Sequence, residues 1–148
     1  LSRNSLSKTV EIWVDGSCIN NGGHDIQLGW AYLVRKDNQE LHRANGNDIP
    51  PEACQHRNVA GEILAVLKAL DWCDAQGISS ATIYFDYQGL QAWVSGAWEA
   101  RTPYTKAYVE AVKAHGMDIK WEKVLAHSGE IFNEIVDEMA REAARARN

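Results

Sequence analysis

The order of the hydrophobic segments constrains the fold of this chain more than any other feature of its sequence. Alternating segments typical of strands come first, at residues 10–15, 29–34 and 40–44, and a hairpin turn at 36–38 joins the second to the third. An amphipathic helix over 58–75 follows. A chain that begins with hairpins and continues with crossover helices predicts an α/β fold, in which helices cover both faces of a mixed sheet.

The remaining segments continue this alternation of helix and strand. They are an apolar strand at 81–85, helices at 90–98 and 104–115, a strand at 118–125 and an amphipathic C-terminal helix that begins near Ile131. The predicted order is therefore β-β-β-α-β-α-α-β-α. We expect one domain over 9–148, preceded by a flexible segment over 1–8, because 148 residues of which 45% are hydrophobic can bury one core.

Composition argues against several classes of protein. No apolar run approaches the roughly 20 residues of a membrane helix, and the polar start of the chain lacks the apolar region of a signal peptide. The three cysteines form no CxxC pair, which argues against a disulfide framework or a zinc site and predicts a reducing cytoplasm. The net charge of −5 argues against strong, general binding of nucleic acids, because neutralising phosphates requires clustered Lys and Arg.

Two acidic residues follow apolar strands directly. Asp15 comes after Ile-Trp-Val, and Asp86 comes after Ile-Tyr-Phe. If the two strands are parallel neighbours, both carboxylates emerge at one edge of the sheet, where ligand sites of α/β proteins are found. For either residue taken alone, an aspartate that simply caps a turn is the alternative.

Two further acids belong to predicted helices. Glu62 is the only charged residue in the run 59–67, so it should be paired, bound to a metal or placed at the edge of the apolar stripe. Asp137 lies in the C-terminal helix near Glu134 and Glu138, a pattern that a solvated acidic face also explains.

Four carboxylates that meet at one point repel one another, and a divalent cation removes that repulsion. Mg²⁺ takes oxygen ligands in octahedral geometry and keeps several waters, which leaves room for a phosphate. Two such ions about 4 Å apart can activate a water and stabilise the leaving oxygen of a phosphodiester. The acids therefore indicate phosphodiester hydrolysis, provided that they meet, which their spacing alone does not establish.

Four short motifs, in this order, carry a family resemblance. They are Asp15-Gly16-Ser17-Cys18, then Asn58-Val59-Ala60-Gly61-Glu62, then Asp86-Tyr87-Gln88, and finally Ala126-His127-Ser128-Gly129 followed by Asn133 and Asp137. Together they resemble the motifs of type 1 ribonuclease H over nearly the whole chain. The resemblance implies a ribonuclease H-like fold with a five-stranded mixed sheet, whose first, fourth and fifth strands are parallel. It also implies an endonuclease that hydrolyses the RNA strand of RNA–DNA hybrids and leaves 5′-phosphate products.

The same resemblance implies a catalytic set. Its members are Asp15, Glu62, Asp86, His127 and Asp137. The four acids would hold two Mg²⁺ ions, for which Mn²⁺ can substitute. The histidine would assist proton transfer or product release, whereas without the motif it would be interpreted as a solvated loop residue.

Substrate contacts follow from the resemblance as well. The implied set is Gly16, Ser17, Cys18, Asn21, Asn58, Gln88, Trp93, Ser128 and Asn133. The amides of Asn21, Asn58 and Gln88 suit a 2′-hydroxyl, which both donates and accepts hydrogen bonds. Trp93 would pack against the DNA strand, and a place in the core is its alternative.

The sequence departs from the family pattern in its basic residues. The stretch 95–102, where some relatives carry a basic handle for the hybrid, has one basic residue. The stretches 57–63 and 86–98 look most like bacterial relatives with an N-terminal hybrid-binding domain of the viroplasmin type, so we expect such a domain in the natural parent. Arg57 and Thr102 are candidates for phosphate contacts.

Three alternatives stay open at the level of sequence. A degenerate domain of this fold could bind hybrids or proteins without cutting them, although an intact set of four acids argues against it. Integrase-like enzymes share the fold, and activity on duplex DNA would favour them. A domain attached to a reverse transcriptase would perform the same chemistry within a different parent. A monomer is the simplest expectation for the oligomeric state.

Overall fold

The strands and helices follow the predicted order along the chain. The computed structural model describes residues 9–20, 26–125 and 130–146. Its strands are β1 (Thr9–Asn20), β2 (Ile26–Lys36), β3 (Gln39–Gly46), β4 (Ser80–Phe85) and β5 (Asp118–Lys123). Its helices are α1 (Asn58–Ala75), α2 (Gly89–Ser95), α3 (Pro103–His115) and α4 (Ile131–Arg145), and a 3₁₀ helix covers Pro51–His56. The predictions for 1–8, Asn21, His127 and Ser128 lie outside the described residues.

The sheet has five strands in the order β3-β2-β1-β4-β5. β2 pairs antiparallel with both β1 and β3, whereas β4 pairs parallel with both β1 and β5. Asp37 and Asn38, with φ angles of 53° and 65°, form the two-residue turn between β2 and β3. The predicted mixed sheet is confirmed, and so is the parallel arrangement of its first, fourth and fifth strands.

Some element boundaries differ from the sequence prediction. β1 continues past Asp15 to Asn20, because its pairing with β2 persists after the parallel pairing with β4 has ended at Trp13. α2 ends at Ser95, earlier than predicted, since Gly96 adopts a left-handed φ of 88° that stops the helix. The 3₁₀ helix lies between β3 and α1, where the sequence analysis predicted neither a helix nor a strand.

Helices pack on both faces of the sheet, because the side chains of each strand alternate between the faces. Ile12 belongs to a large core that also includes Leu70 of α1 and Tyr108 of α3. Its neighbour Trp13 points to the opposite face, where it belongs to a core with Val136 of α4. Among the helices that the structure describes, none is long and apolar enough to cross a membrane.

α1 lies in direct backbone contact with the sheet at Gly16. A Cβ atom at this position would come 2.3 Å from the carbonyl oxygen of Asn58 and 2.4 Å from the amide nitrogen of Glu62. A Cβ atom at Gly61 would likewise come 2.2 Å from a backbone oxygen of β2. These two glycines therefore allow the first turns of α1 to approach the sheet closely. The contact brings Glu62 next to Asp15, the residue before Gly16.

Candidate active site

The carboxylates of Asp15, Glu62 and Asp86 meet at one point beside the sheet. In the parallel pairing of β1 with β4, Trp13 lies opposite Tyr84, and each aspartate follows two residues later. Glu62 reaches the same point from the first turns of α1. Each residue offers one carboxylate oxygen, and these oxygens all lie within 4.8 Å of one another. We call these three residues the acid cluster.

Two members of the acid cluster are almost wholly buried, since Asp15 is 4% exposed and Glu62 is 3% exposed. The pKa of Asp15 is raised to about 8, first by burial and then by the charge of Asp86, although the amide of Gly16 donates a hydrogen bond of 2.8 Å to Oδ1 and lowers it. Burial, followed by interactions with Asp86, also raises the pKa of Glu62 well above its usual range. At neutral pH the cluster therefore retains protons unless a cation replaces them.

The chemistry of the acid cluster fits a divalent metal ion. Carboxylate oxygens are the ligands that hard cations such as Mg²⁺ prefer. Oε1 of Glu62 is buried and has no hydrogen-bond partner among the described residues. Buried acceptors are normally satisfied, and a cation would satisfy this one. Within the described ranges, no ion pair joins a member of the cluster to a Lys, Arg or His side chain.

Asp137 faces the same cleft from α4. The cleft has a volume of about 330 Å³, and this helix contributes Asn133, Glu134 and Asp137 to its lining. Asp137 is not one of the three residues whose carboxylate oxygens lie within 4.8 Å of one another. Its Oδ2 atom lies 3.0 Å from Nη2 of Arg141, one turn further along the helix. The fourth predicted acid is therefore in the cleft but is held in an ion pair.

The other predicted substrate contacts divide between the cleft and its surroundings. Three of them line the cleft: Gly16, Asn58 and Asn133. Ser17 is buried in β1, and Cys18 is half-buried against a small core under the 3₁₀ helix. Gln88 is exposed immediately before α2. The structure thus places Ser17, Cys18 and Gln88 outside the lining of the cleft.

Trp93 lies in an aromatic cluster beside the cleft. Its ring centroid is 5.8 Å from that of Tyr87 and 6.2 Å from that of Trp98. Trp93 also lines a second pocket, of about 230 Å³, to which Arg101 and Thr102 belong. The side chain is half-buried, so packing in the core and contact with a ligand are both compatible with its position.

Two residues that sequence reasoning did not assign to the site also line the cleft. Tyr87 directly follows Asp86, and its pKa is raised by burial and by the nearby charge of Glu62. Glu134 lies one turn before Asp137 on α4. Their positions in the sequence could have identified both residues as candidates, because a residue next to a predicted acid, or three residues from it on a helix, lies near the same cleft. Side-chain direction decides which of these neighbours reaches it.

Comparisons with known sequences agree with this geometry. The family model of RNase H matches residues 7–145. The chain is 30% identical over 142 residues to the Ribonuclease H of Campylobacter jejuni, a match that covers 93% of this chain and 92% of the relative. It is 31% identical over 148 residues to the Ribonuclease H of Neorickettsia sennetsu, covering 90% and 91%.

Solved structures show the same fold. The N-terminal RNase H domain of a Mycobacterium tuberculosis protein superposes with a TM-score of 0.74 at 23% identity, covering 93% of this chain and 94% of that chain. LC11-RNase H1, solved in complex with an RNA/DNA hybrid, superposes with a TM-score of 0.70 at 15% identity, covering 90% and 98%.

The chain therefore belongs to the ribonuclease H family. Its activity is endonucleolytic hydrolysis of the RNA strand of RNA–DNA hybrids, as the motif resemblance implied.

Proposed function

We propose that the chain cleaves RNA with two divalent metal ions held by the acid cluster and Asp137. The observation that carries this proposal is the convergence of three carboxylates, two of them buried and none in an ion pair within the described residues. When bound, two Mg²⁺ ions would activate a water and stabilise the departing oxygen of the phosphodiester. Mg²⁺ is the proposed ion because all four side chains offer oxygen ligands, and Mn²⁺ can substitute for it.

The reaction balances with one water and one transferred proton. The water oxygen forms a bond to phosphorus, and the bond from phosphorus to the 3′-oxygen of the preceding ribonucleotide breaks. The products carry a 5′-phosphate and a 3′-hydroxyl, because the departing 3′-oxygen gains a proton as the attacking water loses one. We assign help with this proton transfer, or with product release, to His127, which lies outside the described residues.

We further propose that the amides at the cleft recognise the RNA strand. Asn58 is exposed at the first residue of α1 and lines the cleft, and Asn133 lines it from α4. Their amides can both donate to and accept from a 2′-hydroxyl, the group that distinguishes RNA from DNA. Gln88 is exposed immediately before α2. Contacts of Asn21 and Ser128 with the RNA strand stay predictions. The hybrid bound by LC11-RNase H1, a protein with this fold, supports this choice of substrate.

The second pocket is the proposed contact with the DNA strand. Trp93 supplies an aromatic wall, Thr102 supplies a hydroxyl, and Arg57 is exposed near the start of α1 as a further phosphate candidate. Arg101 is the one basic residue of the stretch 95–102. It lies 3.4 Å from Glu99, and both side chains are exposed, so its charge is partly neutralised. An additional N-terminal hybrid-binding domain in the parent protein, which would compensate for weak affinity, stays a prediction.

Two expectations about the setting also stay proposals. The three cysteines are free, which supports a reducing, cytoplasmic location. A monomer is the expected state, because the acid cluster is assembled from elements of one chain.

The test is cleavage of an RNA–DNA hybrid labelled on either strand, with Mg²⁺ or with a chelator, beside duplex RNA and duplex DNA. The expected result is metal-dependent cutting of the RNA strand of the hybrid alone. Asp86→Asn should abolish cutting while the chain stays folded, because the change removes charge and almost no volume. Cutting of duplex DNA, or turnover retained by Asp86→Asn, would contradict the proposal.

Asp118→Asn is the matched control. Asp118 is exposed and pairs with Ser80 at the start of β4, so it lies at the opposite end of the parallel strands from Asp86. The substitution makes the same change in charge and shape without touching the cleft. Cleavage by Asp118→Asn should therefore equal that of the wild type.

A further inference from the structure

Asp137 is the one acid of the cleft whose carboxylate is already held by a cationic side chain within the described residues. We propose that Arg141 is a positioning residue that competes with a divalent cation for Asp137, and so weakens binding at the second metal site. This inference rests on the proposed function, in which Asp137 contributes to that site. It assigns a role in metal binding to a residue that belongs neither to the acid cluster nor to the lining of the cleft, and that reaches the site only through Asp137.

The geometry shows how the competition arises. Nη2 of Arg141 lies 3.0 Å from Oδ2 of Asp137 and 3.1 Å from Oε1 of Glu138. The acid precedes the base by four residues, the favourable orientation for an ion pair on a helix. A cation that recruits Asp137 toward the acid cluster must share this carboxylate with the guanidinium, or open the pair.

The two acidic partners of Arg141 differ in what else holds them. Glu138 has a second cationic partner, since its Oε2 atom lies 3.5 Å from Nη1 of Arg145. For Asp137, the pair with Arg141 is the one ion pair in the part of the chain that the structure describes. Loss of Arg141 therefore frees Asp137, whereas loss of Arg145 leaves the pair between Asp137 and Arg141 in place.

The size of the effect follows from the exposure of the pair. The side chain of Arg141 is 43% exposed and that of Asp137 is 25% exposed, so water screens their attraction. Pairs of this kind contribute little, and a cation that must open one should bind about two- to fivefold more weakly than it otherwise would. The acid cluster has no such competitor among the described residues, so the site that it forms should bind first and Asp137 should complete a second, weaker site.

The experiment is a calorimetric titration of the full chain with Mg²⁺ alone, without nucleic acid, so that its readout is metal affinity rather than cleavage. Arg141→Gln should bind the more weakly held ion about two- to fivefold more tightly than the wild type. Arg145→Gln is the matched control, because it removes the same charge from the same helix and should leave this affinity unchanged. In an Asp137→Asn background, Arg141→Gln should have no further effect.

Unchanged or weaker Mg²⁺ binding by Arg141→Gln would overturn the inference. An equal gain in Mg²⁺ affinity in Arg145→Gln would also overturn it, because it would indicate a general effect of the positive charge on the helix rather than competition for Asp137. If Arg141→Gln does not fold, Arg141→Met, which keeps the aliphatic stem, replaces it with the same expected result. If the wild type binds no Mg²⁺ and cleaves no hybrid, the proposed function itself fails. Binding and cleavage by the wild type, with no effect of Arg141→Gln, would refute only the role of Arg141.

Discussion

Two groups of acidic residues in this molecule are balanced in opposite ways. Where the C-terminal ends of α1 and α3 meet, His115 lies 3.1 Å from Asp71 and 2.5 Å from Asp74. Both aspartates are more than half exposed, so solvent also screens their charges. In the acid cluster, by contrast, Asp15 and Glu62 are buried, and no described basic side chain is paired with them.

The difference separates a structural arrangement from a functional one. The group around His115 is complete, because the chain itself supplies the imidazole that contacts both aspartates. The acid cluster is incomplete, because burial and mutual repulsion make its charged form unfavourable unless a cation is supplied from outside. A chain selected for stability alone would not retain such a cluster, and a metal-dependent nuclease requires one.

The largest effect should come from Glu62→Gln. The substitution keeps the size of the side chain but removes a charge that a divalent ion needs. Cleavage of the hybrid should fall by more than about a hundredfold, since a direct ligand should matter at least as much as its outer-shell partners. His115→Gln makes a comparable change at the other group, and its cleavage rate should stay within twofold of the wild type. Steady-state rates of both variants at saturating Mg²⁺ measure this contrast.

Gly16→Ala should disturb the cleft through the backbone. The new Cβ atom would come 2.3 Å from a backbone oxygen of α1, so the helix must shift and carry Glu62 with it. We expect a loss of about 1–3 kcal/mol in the free energy of unfolding, as for overpacked cores, together with loss of cleavage. Gly77→Ala, at a φ of 75° with no atom within 4 Å, should cost about 1 kcal/mol and leave cleavage intact. Denaturant melts and hybrid cleavage would distinguish the two variants.

The stability of the metal-free chain should fall as the pH rises from about 4 to 8. The pKa of Asp15 is raised from 3.8 to about 8 in the folded chain, so the folded state binds more protons than the unfolded state in this window. This contribution to stability is fully present below the unfolded pKa and is lost toward the folded one, by at most about 1.4 kcal/mol per pH unit for one group. Asp15→Asn should flatten this dependence. Thermal melts of the chain at several pH values, in the presence of a chelator, would measure this dependence. An identical dependence of stability on pH in Asp15→Asn would refute the assignment of the effect to Asp15.

The smallest effect should come from His115→Gln in a melting experiment. Its two partners are exposed, so their contacts with the imidazole contribute at most about 1 kcal/mol to the free energy of unfolding. The loss should shrink further at high salt, because salt screens exposed charges. A loss of several kcal/mol that persisted in high salt would show that this group is not the simple surface arrangement described above.

The sequence predicted most of the fold because its patterns are local. The helix over 58–75 and the order of the strands along the chain follow from periodicity and turn residues alone. The full length of β1 could not be predicted in this way, because Gly16 and Ser17 resemble a turn. Only the pairing with β2 keeps these two residues in a strand. Tertiary contacts there override a local signal, as they commonly do for strands.

The site was predictable to a lesser degree. The register between β1 and β4, and the close approach of α1 at Gly16, explain why Asp15, Glu62 and Asp86 meet. Neither contact can be computed from spacing, so the motifs had to supply that expectation. The pairing of Asp137 with Arg141 could not be predicted from the sequence, because two acids compete for the same guanidinium and only the structure shows which atoms it contacts.

The most direct test of the account is the melting temperature of the chain at pH 8, with and without Mg²⁺, in the absence of nucleic acid. An ion that binds the folded chain and not the unfolded one must raise this temperature. We predict that Mg²⁺ raises the melting temperature of the wild type, and that Glu62→Gln melts no lower than the metal-free wild type and loses most of the response. A wild type that does not respond to Mg²⁺, or a Glu62→Gln variant that responds equally, would contradict the claim that the acid cluster is completed by a divalent cation.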